Sequence, residues 1–118
     1  GLVYVCDRIN DRIQVFTKQG KFLKEFFIRP VTQSPGTISM IVFSKDAEQE
    51  YMMVGDPTNN VIWTLRRSDG KILVSCGHDV RNAGQFHAIH SMTSDSAGNI
   101  YTGEVETGKR LQKFALVK

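Results

Sequence analysis

The sequence predicts an all-β fold made of three similar antiparallel units, and three observations support this prediction. An acidic residue, a polar turn and an alternating strand follow one another three times, and the strands reach Phe16, Leu65 and Phe114 at a constant spacing of 49 residues. Short segments rich in β-branched and aromatic residues are bounded by turn residues, which is typical of strands. No segment of 11 residues keeps a 3.6-residue apolar period, so no long helix is expected.

The three units are expected to contain ten strands in the pattern three, four and three. Residues 1–31 form the first unit, 32–84 the second and 85–118 the third. The predicted strands are residues 2–6, 12–16 and 22–28, then 38–43, 51–55, 61–65 and 71–75, then 91–94, 100–103 and 110–116. A repeat of this length built from strands is typical of β-propeller blades. We therefore predict a β-propeller segment of about three four-stranded antiparallel blades, the first and last of which are incomplete.

The connections between the predicted strands have the residues that turns require. Gly20 and Gly70 follow polar residues and can take a positive φ. Residues 95–99, Asp-Ser-Ala-Gly-Asn, form a further turn, and Pro30 and Pro35 mark the link between the first and second units. Each predicted strand is therefore bounded by an independent signal.

Three blades leave two apolar faces bare, because each blade buries its faces only against neighbours. Closed two-fold symmetry is the common solution. We therefore expect a homodimer in which two chains build one six-bladed ring. The competing explanation is that the chain is a fragment of a longer propeller.

Composition excludes several classes. The 118 residues include 15 basic and 12 acidic side chains, a net charge of +3 that is dispersed along the chain and does not argue for a nucleic-acid partner. No apolar run reaches 18 residues and no signal peptide is visible, so we expect a soluble chain without a membrane partner, in an unassigned compartment. Cys6 and Cys76 belong to no CxxC pair and are expected to be buried free thiols.

The three hairpin segments, DRINDRIQVF, DPTNNVIWTL and EVETGKRLQKF, resemble NHL-repeat propellers. In that family a strand ends in Asp, and a polar turn with Asn, a basic residue and an alternating strand follow. The matching residues are Asp7, Asn10, Arg12 and Phe16; Asp56, Asn59 and Leu65; and Glu104, Arg110 and Phe114. The resemblance implies the propeller fold, which is host to enzymes and binding modules alike.

The last blade, from GQFHAIHSM onward, is similar to that of bacterial six-bladed propellers related to the peptidyl-hydroxyglycine lyase. The lyase resemblance implies a zinc ion held by three histidines from different blades, and His90 falls where one of them would be. Ser91 stands where that pattern has a calcium-binding Asp, and residues 35–39 of the second blade have no histidine. A catalytic zinc needs three protein ligands, so further ligands would have to come from a partner chain.

Binding residues are predicted near the link between the second and third blades. His78, His87, His90 and Ser91 are candidates for ligand contacts at the channel mouth. The alternative is that these histidines only bond backbone groups of their own loops. The acids and amides that recur, Asp7, Asn10, Asp56, Asn59 and Glu104, are expected to be structural, with each acid accepting backbone N–H groups of the following turn.

Other conspicuous side chains receive structural interpretations. Trp63 is expected to pack between blades, with an exposed binding aromatic as the alternative. The paired cations Arg66-Arg67 and Lys109-Arg110 are expected on solvated strand edges. No nucleotide-binding fingerprint and no nucleophile elbow is found. A non-catalytic scaffold or binding module for a peptide or small ligand is therefore favoured, without a cofactor. A lyase-like zinc enzyme and RNA binding through a basic face stay as alternatives.

Overall fold

The computed structural model describes residues 1–33 and 35–117 and has an all-β architecture of three antiparallel sheets. Sheet 1 contains β1 (Leu2–Asp7), β2 (Arg12–Thr17) and β3 (Phe22–Phe27). Sheet 2 contains β4 (Met40–Phe43), β5 (Tyr51–Asp56), β6 (Val61–Arg66) and β7 (Ile72–Cys76). Sheet 3 contains β8 (Ile89–Ser94), β9 (Ile100–Glu104) and β10 (Leu111–Phe114). The predicted ten strands in groups of three, four and three are confirmed.

Four strands begin elsewhere than predicted, and two of them, β7 at Ile72 and β10 at Leu111, do so by only one residue. β4 begins at Met40 and not at residue 38, because Thr37 bonds sheet 1 through its N–H to Asp11 Oδ1 and its hydroxyl to the Ile28 carbonyl. β8 begins at Ile89, two residues early, with a register shift between Ile89 and Ser91. The shift places His90 inside a strand instead of in the preceding link.

Asp7, Asp56 and Glu104 occupy corresponding places in their hairpins. Asp7 pairs with Arg12 and Asp56 with Val61, at the same spacing in both hairpins. In the third hairpin the N–H of Glu104 donates to the Arg110 carbonyl, one residue further along. The turn after Glu104 is therefore one residue longer than the other two, and we call the three acids Asp7, Asp56 and Glu104 matched positions.

Sheet 2 lies between the other two sheets, and both faces of its strands β5 and β6 take part in the packing. Because side chains alternate along a strand, Val54 and Leu65 pack towards sheet 1, whereas Met53 and Ile62 pack towards sheet 3. The first core contains Ile13, Val15, Phe26, Ile28, Ile38, Met52, Val54 and Leu65, and the second contains Met40, Ile62, Phe86 and Ile89. β4 and β8, each the first strand of its sheet in the chain, lie in contact.

The two cysteines differ in burial. Cys6 is half-buried, and burial raises the pKa of its thiol to about 11, whereas Cys76 is exposed on β7. The prediction of burial is therefore wrong for Cys76, because β7 is the outermost strand of sheet 2 and is exposed along its length.

One short 3-10 turn, Arg8–Asn10, is the only helix among the described residues. None of the described residues forms a helix long and apolar enough to cross a bilayer.

Candidate functional site

One cleft, of about 380 Å³, lies where the turns after the three matched acids converge. Arg8, Pro57 and Val105 each follow one of these acids and all line the cleft. Its remaining lining residues are Pro35, Thr58, Asn60, His87, Ala88, Ile89, His90 and Glu106. All three sheets therefore contribute to this cleft, directly or through their turns.

The acid of the first hairpin is held by side chains. Asp7 Oδ2 accepts from Arg12 Nε at 2.7 Å, and both carboxylate oxygens accept from Asn10 Nδ2. These hydrogen bonds from Arg12 and Asn10 lower the pKa of Asp7. The predicted bond from a backbone N–H is absent at this acid among the described contacts, since Asn10 and Arg12 supply the donors.

The acid of the second hairpin is buried and has different donors. Asp56 accepts from the backbone N–H of Asn59 at 3.0 Å, as expected, and from Asn59 Nδ2 at 2.8 Å. Trp63 Nε1 donates to Asp56 Oδ2 at 3.0 Å, while the Trp63 ring packs against the core between sheets 1 and 2. Trp63 therefore supplies the donor that the basic residue supplies in the other hairpins, because Val61 occupies the basic position.

The acid of the third hairpin joins its turn to the link that precedes β8. Glu104 accepts from Arg110 at 2.9 Å, from Gln112 Nε2 at 2.8 Å and from the backbone N–H of His87 at 3.0 Å. Burial acts to raise the pKa of Glu104, but the hydrogen bonds from Arg110, His87 and Gln112 outweigh it and hold the pKa below its usual value. The carboxylate is therefore ionised at neutral pH.

Arg110 is not the solvated edge cation that the sequence suggests. Its guanidinium also donates to three carbonyl oxygens of the preceding link, those of Arg81 at 2.6 Å, Asn82 at 3.1 Å and Gln85 at 2.8 Å. A planar guanidinium can satisfy several acceptors at fixed angles, which suits this position. Arg110 therefore fixes the link that forms one wall beside the cleft.

The four predicted binding residues are not brought together. His87 and His90 line the cleft, whereas His78 lies exposed in the link and Ser91 lies on the outward side of sheet 3 opposite Gly103. His87 is bonded at both ring nitrogens, to Asp79 Oδ1 at 3.0 Å and to Thr107 Oγ1 at 2.8 Å. His90 is exposed and is the predicted residue with the freest access to a ligand.

The side chains of a single chain do not fit the zinc ion that the lyase resemblance implies. Within residues 1–33 and 35–117, no three His, Cys, Asp or Glu side chains lie close enough together to hold one ion. His87 has both nitrogens engaged, which leaves His90 as one possible ligand where a catalytic zinc needs three. No catalytic step follows from this donor set.

Arg8 is the cleft residue that the sequence analysis missed. Its Nε is buried and has no hydrogen-bond partner within the described structure. A signal was present, because the matched positions are Pro57 and Val105, so a cation here departs from the repeat. The Arg8 carbonyl lies against Gly36, where φ is +85° and a Cβ atom would overlap the carbonyl oxygen.

The chain matches no known protein-family profile, and no curated protein matches it significantly. The NHL-repeat resemblance therefore stays a prediction that the hairpin residues support.

Proposed function

We propose that this chain is a three-blade segment of a β-propeller of the NHL-repeat kind. The matched hairpins and the stacking of sheet 2 between its neighbours support this proposal. The contact between β4 and β8, the first strands of their sheets, is what blades around a common axis require. A second copy would complete a six-bladed ring, and the mass in solution tests this.

The function that the geometry supports best is binding, without catalysis, of a peptide or small ligand with an anionic group. The observation that carries the proposal is Arg8, a cation that lines the cleft and forms no ion pair among the described residues. A ligand carboxylate in the cleft would form charge-assisted hydrogen bonds with this guanidinium. His90 and Glu106, both exposed, line the same cleft and would contact the rest of the ligand.

Short peptides with free or amidated C-termini test this proposal, because the two series differ only in the anionic group. We expect chemical-shift titrations to show binding of the free-acid series alone, with shifts at Arg8 and His90. Arg8→Gln should weaken binding about tenfold, equivalent to about 1.4 kcal/mol. Arg67→Gln, at the opposite end of the sheets, is the matched control and should bind as the parent does. Equal binding of the two series would refute a carboxylate-selective cleft.

The two alternatives have direct tests. For the zinc lyase, metal analysis of the purified protein would have to find about one zinc per site, with ligands from two chains. For RNA binding, affinity would have to fall steeply with salt. Arg12, Arg66 and Arg110 already form ion pairs with acids, which lowers the charge that they offer to phosphates.

A further inference from the structure

The same position in the three hairpins is buried twice and exposed once. Ile13, Ile62 and Leu111 are matched positions at the start of β2, β6 and β10. Their exposed fractions are 0%, 4% and 73%. Ile13 is covered by sheet 2 and Ile62 by sheet 3, so the exposure of Leu111 measures the lack of a neighbouring sheet on that side.

The opposite face of the sheets shows the reverse pattern. Val5, on β1, is 41% exposed, whereas its match Val54, on β5, is 0% exposed because it packs against sheet 1. Val3 and Met52 differ in the same way, the first exposed and the second fully buried. Exposure on this face therefore occurs in sheet 1, at the other end of the stack.

The two contacts inside the molecule use the same pair of faces. In each, the face that bears Ile13 or Ile62 packs against the face of the next sheet that bears Val54 or its match Thr102. The contacts are therefore head to tail, and the stack ends in one face of each kind. A contact between these two ends would use the same pair of faces as both inner contacts, whereas a contact between two like faces has no precedent in this molecule.

The residues of the two free faces differ in size and charge. The outer face of sheet 1 has the exposed apolar residues Val3, Val5, Phe22 and Phe27, together with Asp7, Arg12, Gln14 and Glu25. The outer face of sheet 3 has Ser91, Thr93, Tyr101, Gly103, Leu111 and Lys113. All of these except Lys113 line a shallow groove of about 150 Å³. A face with four exposed apolar side chains and one excess acid would thus meet a face with a groove, an exposed leucine and a lysine.

We propose that a second copy of this chain docks head to tail, with the outer face of sheet 1 of each copy on the outer face of sheet 3 of the other. This inference rests on the proposed propeller architecture. The same pair of faces is then used twice, so the two copies close into a ring with no face left bare.

Opposite charges placed on the two faces test the proposal. Phe27→Glu alters only the outer face of sheet 1, and Leu111→Lys alters only the outer face of sheet 3. Both side chains are exposed, so neither change removes core packing. Val31→Lys, at an exposed apolar residue outside both faces, is the matched control. Light scattering on a sizing column gives the mass of each sample.

The parent and the control should be dimers, with twice the 13.3 kDa mass of one chain. Each charged variant alone should dissociate at concentrations at least tenfold higher than the parent does. An equimolar mixture should recover dimers, because one of its two contacts is unaltered and the other pairs Glu with Lys. Recovery in the mixture is specific to head-to-tail docking.

Three results would overturn the proposal. A monomeric parent means that the faces are covered by other blades or not at all. Dissociation by one variant only means that two like faces meet. A mass that grows with concentration means an open array instead of a ring. Peptide titration of the same samples separates these failures from failure of the cleft, since Arg8 lies on neither free face.

Discussion

Asp7 and Glu104 are matched acids at the ends of β1 and β9, yet their surroundings differ. Asp7 is partly exposed and its partners, Asn10 and Arg12, belong to its own hairpin. Glu104 has a fully buried side chain and also holds the backbone of His87 in the preceding link. An acid at the same place can therefore close a turn in one hairpin and join two segments in another, depending on what packs beside it.

Replacement of Glu104 or Asp7 by alanine should give the largest difference in the free energy of unfolding between the two hairpins. Glu104→Ala leaves the Arg110 guanidinium and the His87 N–H without their acceptor in a buried place, and we expect a loss of about 3 kcal/mol in the free energy of unfolding. Asp7→Ala should cost clearly less, because water replaces the lost contacts. Urea unfolding of both variants measures the difference. Equal losses would mean that the link adds nothing to the role of Glu104.

Arg110→Lys tests the same network from its basic side. Lysine keeps the charge but cannot reach the acceptors at Arg81, Asn82 and Gln85 in one geometry. We expect a loss of about 1–2 kcal/mol, with faster amide exchange confined to the link between β7 and β8. Arg12→Lys is the matched control in the first hairpin and should leave exchange in that link unchanged.

Trp63→Phe removes one donor to Asp56 and keeps most of the apolar ring. The buried carboxylate would retain Asn59 as its partner, so we expect a loss of about 1 kcal/mol in the free energy of unfolding. Gln14→Ala, at the matched position of sheet 1, should change stability by no more than about 0.5 kcal/mol. If Trp63→Phe left the free energy of unfolding unchanged, packing alone would explain why a tryptophan occupies this position.

Acid titration should give the smallest effect of this series. Because the folded pKa of Glu104 lies below its usual value of 4.5, its ionised form stabilises the fold above that pH, and the contribution is lost as the pH falls through the folded pKa. Below about pH 4.5, stability should therefore fall more steeply in the parent than in Glu104→Gln. Parallel pH profiles of the two proteins would contradict the assigned role.

Much of the fold was predictable because it depends on local periodicity. A run of β-branched and aromatic residues locates β1, alternating apolar residues locate β2, and the constant spacing of Phe16, Leu65 and Phe114 relates β2, β6 and β10. The start of β4 was missed because Thr37 bonds Asp11 and Ile28 of another sheet, a contact that spacing does not encode.

The site was less predictable than the fold. The Arg110 bonds end on backbone carbonyls, which every residue carries, so no pattern of side chains announces them. Four binding residues were predicted because the histidines were conspicuous in the sequence. Two of the four, His78 and Ser91, lie away from the cleft. Arg8 could have been found by asking which residue breaks the repeat, because its matches are Pro57 and Val105.

Gly36 has a consequence for how sequences of this kind can change over evolutionary time. Its backbone lies against the Arg8 carbonyl in a conformation that side chains rarely adopt, so no other residue fits without moving the turn that presents Arg8. Position 36 is therefore constrained by the backbone, whatever the cleft binds. In a collection of related chains, an invariant position 36 amid variable cleft residues would mark descent with a changed ligand and an unchanged frame.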